Sequence, residues 1–301
     1  MNLIVAVAAL LLIPGLIVTW FGAGSFVAAR PQSVGDPPAD LPATPISLNS
    51  ESGSRLAGWH LRSADHRGVV VLLHPYQGCR LTMVDRARFL HSKGYSSVMI
   101  DLQAHGESPG ERVTIGYRER HDARAAVEFA RTEHPHEPIA VIGFSMGGAA
   151  ALLASPLNVD AMVLESVYPD IETAVKNRVV VKLGAFATLP ARLLLMQFRP
   201  RLGISLADMR PIQHLPDVGC PVFIMSGTVD RHTTEADTRA MFKAAAEPKQ
   251  LWLLDGADHE DLYDFNPQEY ETRLLEFFEQ HLITAGSTLP TRHVVSERSV
   301  S

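Results

Sequence analysis

The sequence has only two cysteines, Cys79 and Cys220, among 301 residues. They are too few and too far apart for a disulfide framework or for a zinc site of the Cys-x-x-Cys kind, so no structural metal is expected. A positive field is missing as well. Lys and Arg number 27 against 33 Asp and Glu, a formal net charge of −6, which removes nucleic acid from the expected partners because a phosphate backbone calls for clustered cations. No internal repeat and no low-complexity tract occurs. With 46% hydrophobic and 20% charged residues, the composition is that of a folded chain long enough to bury an extensive core.

Charge is absent from Asn2 to Ala29, where no Asp, Glu, Lys, Arg or His occurs, and Leu3 to Phe21 is nearly all aliphatic. A hydrocarbon core about 30 Å thick is crossed by roughly 20 apolar residues, and Trp20 and Phe21 fall where an aromatic belt would sit. The expectation for residues 1–30 is therefore a single-pass membrane anchor. A cleaved export signal is the alternative: Val27-Ala28-Ala29 supplies small residues for cleavage, although the run exceeds the roughly 7 to 15 residues usual for a signal and carries no basic residue before it. Residues 31–45, rich in Pro, Asp and Ser, read as a linker. Residues 46–283 read as the folded domain and the polar residues 284–301 as a flexible tail.

Inside the domain, short apolar runs alternate with helical text. Val69–Leu73, Tyr95–Ile100, Ile139–Ile142, Ala161–Leu164, Val222–Met225 and Leu251–Leu254 are continuously apolar, the mark of parallel strands covered on both faces by helices. Met83, Ala87 and Leu90 before Gly94, and Ala123, Ala126, Val127 and Ala130, have the spacing of crossover helices. Ile46–Leu48 and Arg55–Leu61 flank Glu51-Ser52-Gly53-Ser54 as an antiparallel hairpin at the sheet edge. The class is α/β, a mostly parallel, doubly wound sheet. From Tyr168 to about Pro211 the rhythm breaks: apolar helical text punctuated by Arg178, Arg192, Arg199 and Arg201 replaces strand signals, which marks an insertion.

Gly143-Phe144-Ser145-Met146-Gly147 lies directly after a strand and directly before the helical run Ala149–Ala154. This is the G-x-S-x-G pattern of a nucleophile elbow, in which side chains at Gly143 and Gly147 would collide with neighbouring backbone and Ser145 is left at the tip of a strained turn. A serine hydroxyl needs a base, and the base needs a carboxylate to hold its tautomer. The strand Val222–Met225 leads to Asp230, and the strand Leu251–Leu254 leads to Asp255-Gly256-Ala257-Asp258-His259. Ser145, Asp230 and His259 thus arrive at one sheet edge in the order serine, acid, histidine; Asp258 and Asp255 remain as alternatives to Asp230. The oxyanion of an acyl intermediate would be held by backbone N–H groups of Met146, after the nucleophile, and of Tyr76, because Pro75 in His74-Pro75-Tyr76-Gln77-Gly78 has none.

From Ile46 to about Leu282 the chain resembles the α/β-hydrolase superfamily, in its serine esterase, lysophospholipase and serine aminopeptidase-like branch. Besides the elbow, Asp101-Leu102-Gln103-Ala104-His105-Gly106-Glu107-Ser108 is similar to that branch's D-x-R-G-H-G-x-S loop. Two positions depart from the family pattern: His74-Pro75 stands for His-Gly, and Gln103-Ala104 for Arg-Gly. The resemblance implies the α/β-hydrolase fold with a cap over 168–211, no cofactor, and a serine hydrolase that cleaves carboxylic esters through an acyl-enzyme. Hydrophobic or lipid-derived esters are the expected substrates. An amidase or peptidase of the same fold is the enzymatic alternative, and a membrane-tethered, non-catalytic binding protein the alternative from another class.

Overall fold

Each continuously apolar run forms a strand, buried on both faces except in the last, Leu251–Leu254, where Leu251 and Leu253 are half-buried. The structure, a computed structural model, describes the backbone of residues 3–282 and side chains from Pro14 onward; the expected tail, 284–301, lies outside the described residues. Eight strands make one sheet: β1 (Ala43–Asn49), β2 (Arg55–Leu61), β3 (Val69–Leu73), β4 (Ser96–Ile100), β5 (Ile139–Phe144), β6 (Ala161–Glu165), β7 (Val222–Gly227) and β8 (Lys249–Leu254). Their order is β8-β7-β6-β5-β3-β4-β2-β1. β2 is antiparallel to both β1 and β4, and every other pair is parallel. β1 already contains Pro45, which an edge strand tolerates because its missing N–H breaks no ladder. Both cysteines are free thiols.

Helices α2 (Val84–Ser92), α3 (Glu119–Glu133), α4 (Met146–Ala154), α8 (Glu235–Ala244) and α10 (Pro267–His281) cover the two faces, dividing the core into one cluster on each side of the sheet. Between β6 and β7 stand α5 (Ile171–Leu183), α6 (Thr188–Met196) and α7 (Phe198–Leu202). The sheet carries the carboxyl ends of β3, β5, β7 and β8 to one edge, and these three helices follow β6 from that same edge.

The expected membrane anchor is overturned: among the described residues no helix is long and apolar enough to cross a membrane. The apolar run forms α1 (Leu3–Val27), with Pro14 inside it, and from Pro14 onward the helix is committed to α5–α7. At Gly15 the α1 backbone comes so close to Leu193 that even a methyl group would be tight. The Gln197 side-chain amide donates to Thr19 Oγ1 at 2.6 Å, and Arg201 donates to the Trp20 carbonyl while its guanidinium lies 4.0 Å from the Trp20 ring. The segment that the export alternative would cleave, Val27-Ala28-Ala29, is joined to the domain. Val27 is 7% exposed, its carbonyl accepts from the Val113 N–H, Ala28 bridges to Arg112, and Arg30-Pro31 pairs with His105-Gly106. Apolar residues expected to be covered by lipid are here partly covered by protein.

Candidate active site

β5 runs into α4 through Ser145, whose φ of 49° and ψ of −109° belong to a region that costs a non-glycine residue of order 1–3 kcal/mol. The turn tolerates no bulk around it. A Cβ on Gly147 would press into the Leu73 carbonyl, and one on Gly143 into the backbone of Gly148. The strained serine is held by its own N–H, which donates to the Glu165 carbonyl at the end of β6 (2.7 Å). Its side chain faces His259, with Ser145 Oγ 3.3 Å from His259 Nε2.

Asp230 follows β7 and His259 follows β8, so parallel pairing of these strands delivers both to the elbow. His259 Nδ1–H donates to Asp230 Oδ2 at 2.8 Å, which leaves Nε2 free to accept from the serine. Asp230 is buried and fully engaged: Oδ1 accepts the backbone N–H groups of His232 (2.7 Å) and Thr233 (2.8 Å), and Ser226 Oγ donates to Oδ2 (3.4 Å). Asp258 turns elsewhere, accepting the backbone N–H of His259 itself, and Asp255 accepts from Thr228 Oγ1. Neither reaches the imidazole. Met146 is the first residue of α4, so its N–H has no helical acceptor. Tyr76 lies in a turn closed by Gly78 N–H donating to the Pro75 carbonyl (3.0 Å), and its N–H has no acceptor among the described residues. The structure brings Ser145, Asp230, His259, Met146, Tyr76, Gly143 and Gly147 into one corner.

Above this corner is a cavity of about 720 Å³. Ser145, Met146 and Tyr76 form its floor, α5 and α6 one side, and α1 from Pro14 to Val27 the other. Tyr76 ties floor to wall, since its hydroxyl donates to the Phe26 carbonyl (2.7 Å) and accepts from Arg30 Nη2 (3.0 Å). Reading the sequence missed α1 as a site element, because an uncharged apolar run looks the same whether protein or lipid covers it. It missed a second device beneath the elbow. Arg86, on α2, donates to both oxygens of Glu165 (3.1 and 2.6 Å) and to both of Asp261 (2.9 and 2.7 Å), and the Tyr270 hydroxyl also donates to Glu165.

Comparison with known proteins bears on the fold. Residues 64–197 match the family described as serine aminopeptidase, S33. An uncharacterized protein of Mycobacterium tuberculosis is 28% identical over 223 residues, 72% of each chain, and the uncharacterized protein YqkD of Bacillus subtilis is 21% identical over 246 residues, 78% of this chain and 79% of that one. Among solved structures, an esterase of Pyrococcus furiosus superposes with a TM-score of 0.70 at 23% identity, over 85% of this chain and 98% of that one. The chain has the α/β-hydrolase fold.

Within this fold the two departures from the pattern that the sequence resembles have visible consequences. Ala104 takes the family's glycine position with φ of 60°, a left-handed conformation that costs alanine roughly 1 kcal/mol. Gln103 replaces the arginine and anchors the loop by donating to Glu119 (2.6 Å) and to the Arg112 carbonyl (2.8 Å). His74, in place before Pro75, is fixed as a neutral ring: Nδ1–H donates to the Pro75 carbonyl (2.8 Å) and Nε2 accepts the Leu102 N–H (3.0 Å).

Burial, assisted by repulsion from His105, pulls the His74 imidazole from an ordinary 6.5 down to about 3. The folded value lies below the unfolded one, so on acidification the unfolded chain takes up its proton first. Stability from this ring is complete above pH ~6.5 and is lost as pH falls toward 3, at about 1.4 kcal/mol per pH unit. Asp122, pushed up to about 7 by burial, acts with the opposite sign between pH ~4 and 7. In Asp122→Asn protein, urea unfolding from pH 6.5 to 4.5 should therefore show a loss of at least ~1.4 kcal/mol per unit. A flat profile would mean that His74 is protonated without cost in the folded state.

Proposed function

We propose that this α/β-hydrolase is a serine hydrolase that cleaves carboxylic esters of hydrophobic acids through an acyl-enzyme. The observation that carries the proposal is the hydrogen-bonded series Ser145 Oγ, His259 and Asp230 at the floor of an apolar cavity. In this mechanism His259 Nε2 takes the Ser145 proton as the oxygen attacks the ester carbonyl, and Asp230 stabilises the resulting imidazolium. The N–H groups of Met146 and Tyr76 receive the oxyanion. His259 then gives its proton to the departing alcohol, and water, activated by the same imidazole, releases the acid and restores Ser145. Residues 168–211 act as the cap, and together with α1 they shape the acyl site.

An aminopeptidase reading fits less well. A free amino terminus calls for a carboxylate near the scissile bond, and no Asp or Glu stands among the described residues lining the cavity. The esterase reading is tested with a fluorophosphonate probe, which should label the protein and fail to label Ser145→Ala. With straight-chain nitrophenyl esters, kcat/KM should then rise with acyl length by up to about fourfold per CH₂, the equivalent of ~0.8 kcal/mol, until the cavity is full. Since α1 forms one wall, deletion of residues 1–27 should flatten that dependence. A steady fall from acetate to octanoate in the full chain would retire the hydrophobic-acid reading.

A further inference from the structure

The cavity wall is largely apolar, and its charged residues are all cations. Arg178, Lys182 and Arg201 stand in it, with no acidic residue among the described lining residues to answer them. Two of the three are already occupied by α1: Lys182 Nζ is 5.1 Å from the Phe26 ring centre, and Arg201 packs on Trp20 and donates to its carbonyl. Arg178 is different. Among the described residues its guanidinium makes one hydrogen bond, 3.3 Å long, to the Ala174 carbonyl of its own helix, and it has no carboxylate partner. Asp230 is near enough to attract it, but both Asp230 oxygens are taken by His232, Thr233, Ser226 and His259.

A guanidinium has five N–H donors in a planar fork and stays charged at neutral pH. Burial lowers Arg178 from its ordinary value, which reflects the cost of keeping that charge in an apolar wall without a counter-ion. Such a group becomes favourable when an anion arrives, because two charge-assisted hydrogen bonds then form in a site of low dielectric. Neutral esters offer only single weak acceptors.

We infer that Arg178 is the anion-recognition residue of the substrate pocket, receiving a carboxylate or phosphate that the ester carries away from its scissile carbonyl. The inference rests on the reading of Ser145 as the nucleophile and narrows it: the substrate is an anionic amphiphile, its chain along α1 and α6 and its charged end at α5.

Two matched substrate pairs test it in the full chain. Monooleoylglycerol against its phosphate ester places the anion on the alcohol side, and the nitrophenyl ester of suberic acid monomethyl ester against that of the free acid places it on the acyl side. Wild type should prefer the anionic member of one pair, which tells the phosphate source from the carboxylate source. Arg178→Met should lower that anionic-to-neutral ratio of kcat/KM by on the order of 10- to 100-fold, and Arg178→Lys should recover part of it. Calorimetric binding of the non-hydrolysable ether analogue of the glycerol pair, with and without phosphate, and of suberate against its dimethyl ester, should show the same ratios in Ser145→Ala protein, and would do so even if Ser145 proved not to be the nucleophile. A protein that is labelled by fluorophosphonate yet shows no preference for either anionic member, in turnover and in binding, overturns the assignment of Arg178 and leaves the esterase reading standing. Equal losses on both members of the pair in Arg178→Met would also overturn it, reducing the residue to a structural role.

Discussion

Ser145→Ala should lower kcat for ester hydrolysis by on the order of 10⁶-fold, and Asp230→Asn by about 10⁴-fold. The first value follows because a nucleophile and its base act as a unit, so that removing the hydroxyl forfeits both. The second follows from the tautomer. With aspartate at 2.8 Å, His259 Nδ1 must carry the hydrogen; an asparagine amide turned toward it would favour the reverse tautomer and place an N–H opposite the serine. Asp258→Asn should stay within a few-fold of wild type in the same assay, since that carboxylate accepts the backbone N–H of His259 and not the ring. Pre-steady-state and steady-state rates on one nitrophenyl ester suffice. If Asp258→Asn is the crippling change, Asp230 is the wrong acid.

Arg86→Met is expected to destabilise the domain by about 3–5 kcal/mol, a large share of the ~5–15 kcal/mol that holds a typical domain together. Arg86 is 1% exposed and Glu165 not exposed at all, while Asp261 is 18% exposed. Methionine fills the stem of the arginine but leaves the Glu165 carboxylate buried without its cation. The loss should be read from the urea midpoint at unchanged slope. Because the damage is an uncompensated charge, Glu165→Gln in the Arg86→Met background should recover part of the stability, although alone it also destabilises. A cost under ~1 kcal/mol for Arg86→Met would show that the pair is screened by water. Activity of the folded fraction should fall too, since the Glu165 carbonyl holds the Ser145 N–H and Asp261 caps the short helix that follows His259. The ion cluster joins the loops that carry nucleophile and base.

Much of the sheet is legible in the sequence because continuous apolar runs have one economical explanation in an α/β chain, and Gly143, Ser145 and Gly147 are legible because sterics leave few residues that fit such a turn. Asp230 and His259 can be located by chain order and strand ends. What stays hidden has no local signature. Arg86 meets Glu165 across 79 positions and Asp261 across 175, so no spacing rule connects them. Arg178 looks like Arg192 or Arg199 until the helix is placed and its guanidinium stands in the cavity wall without a carboxylate partner among the described residues. The anchor expectation failed for a related reason: hydropathy records that α1 must leave water, but not which apolar surface receives it.

The contacts that seat α1 span great lengths of chain, 178 residues from Thr19 to Gln197 and 181 from Trp20 to Arg201. At roughly 5–20 residues per second on the ribosome, α1 is made about 10–35 s before the helices that cover it. Throughout that interval β1 to β6 and the elbow emerge while the helices that cover α1 are still missing, and an apolar helix stands ready to stick to other nascent chains. Supply of a holding chaperone during translation is therefore expected to raise the yield of folded protein, and the soluble yield with and without its co-expression checks this.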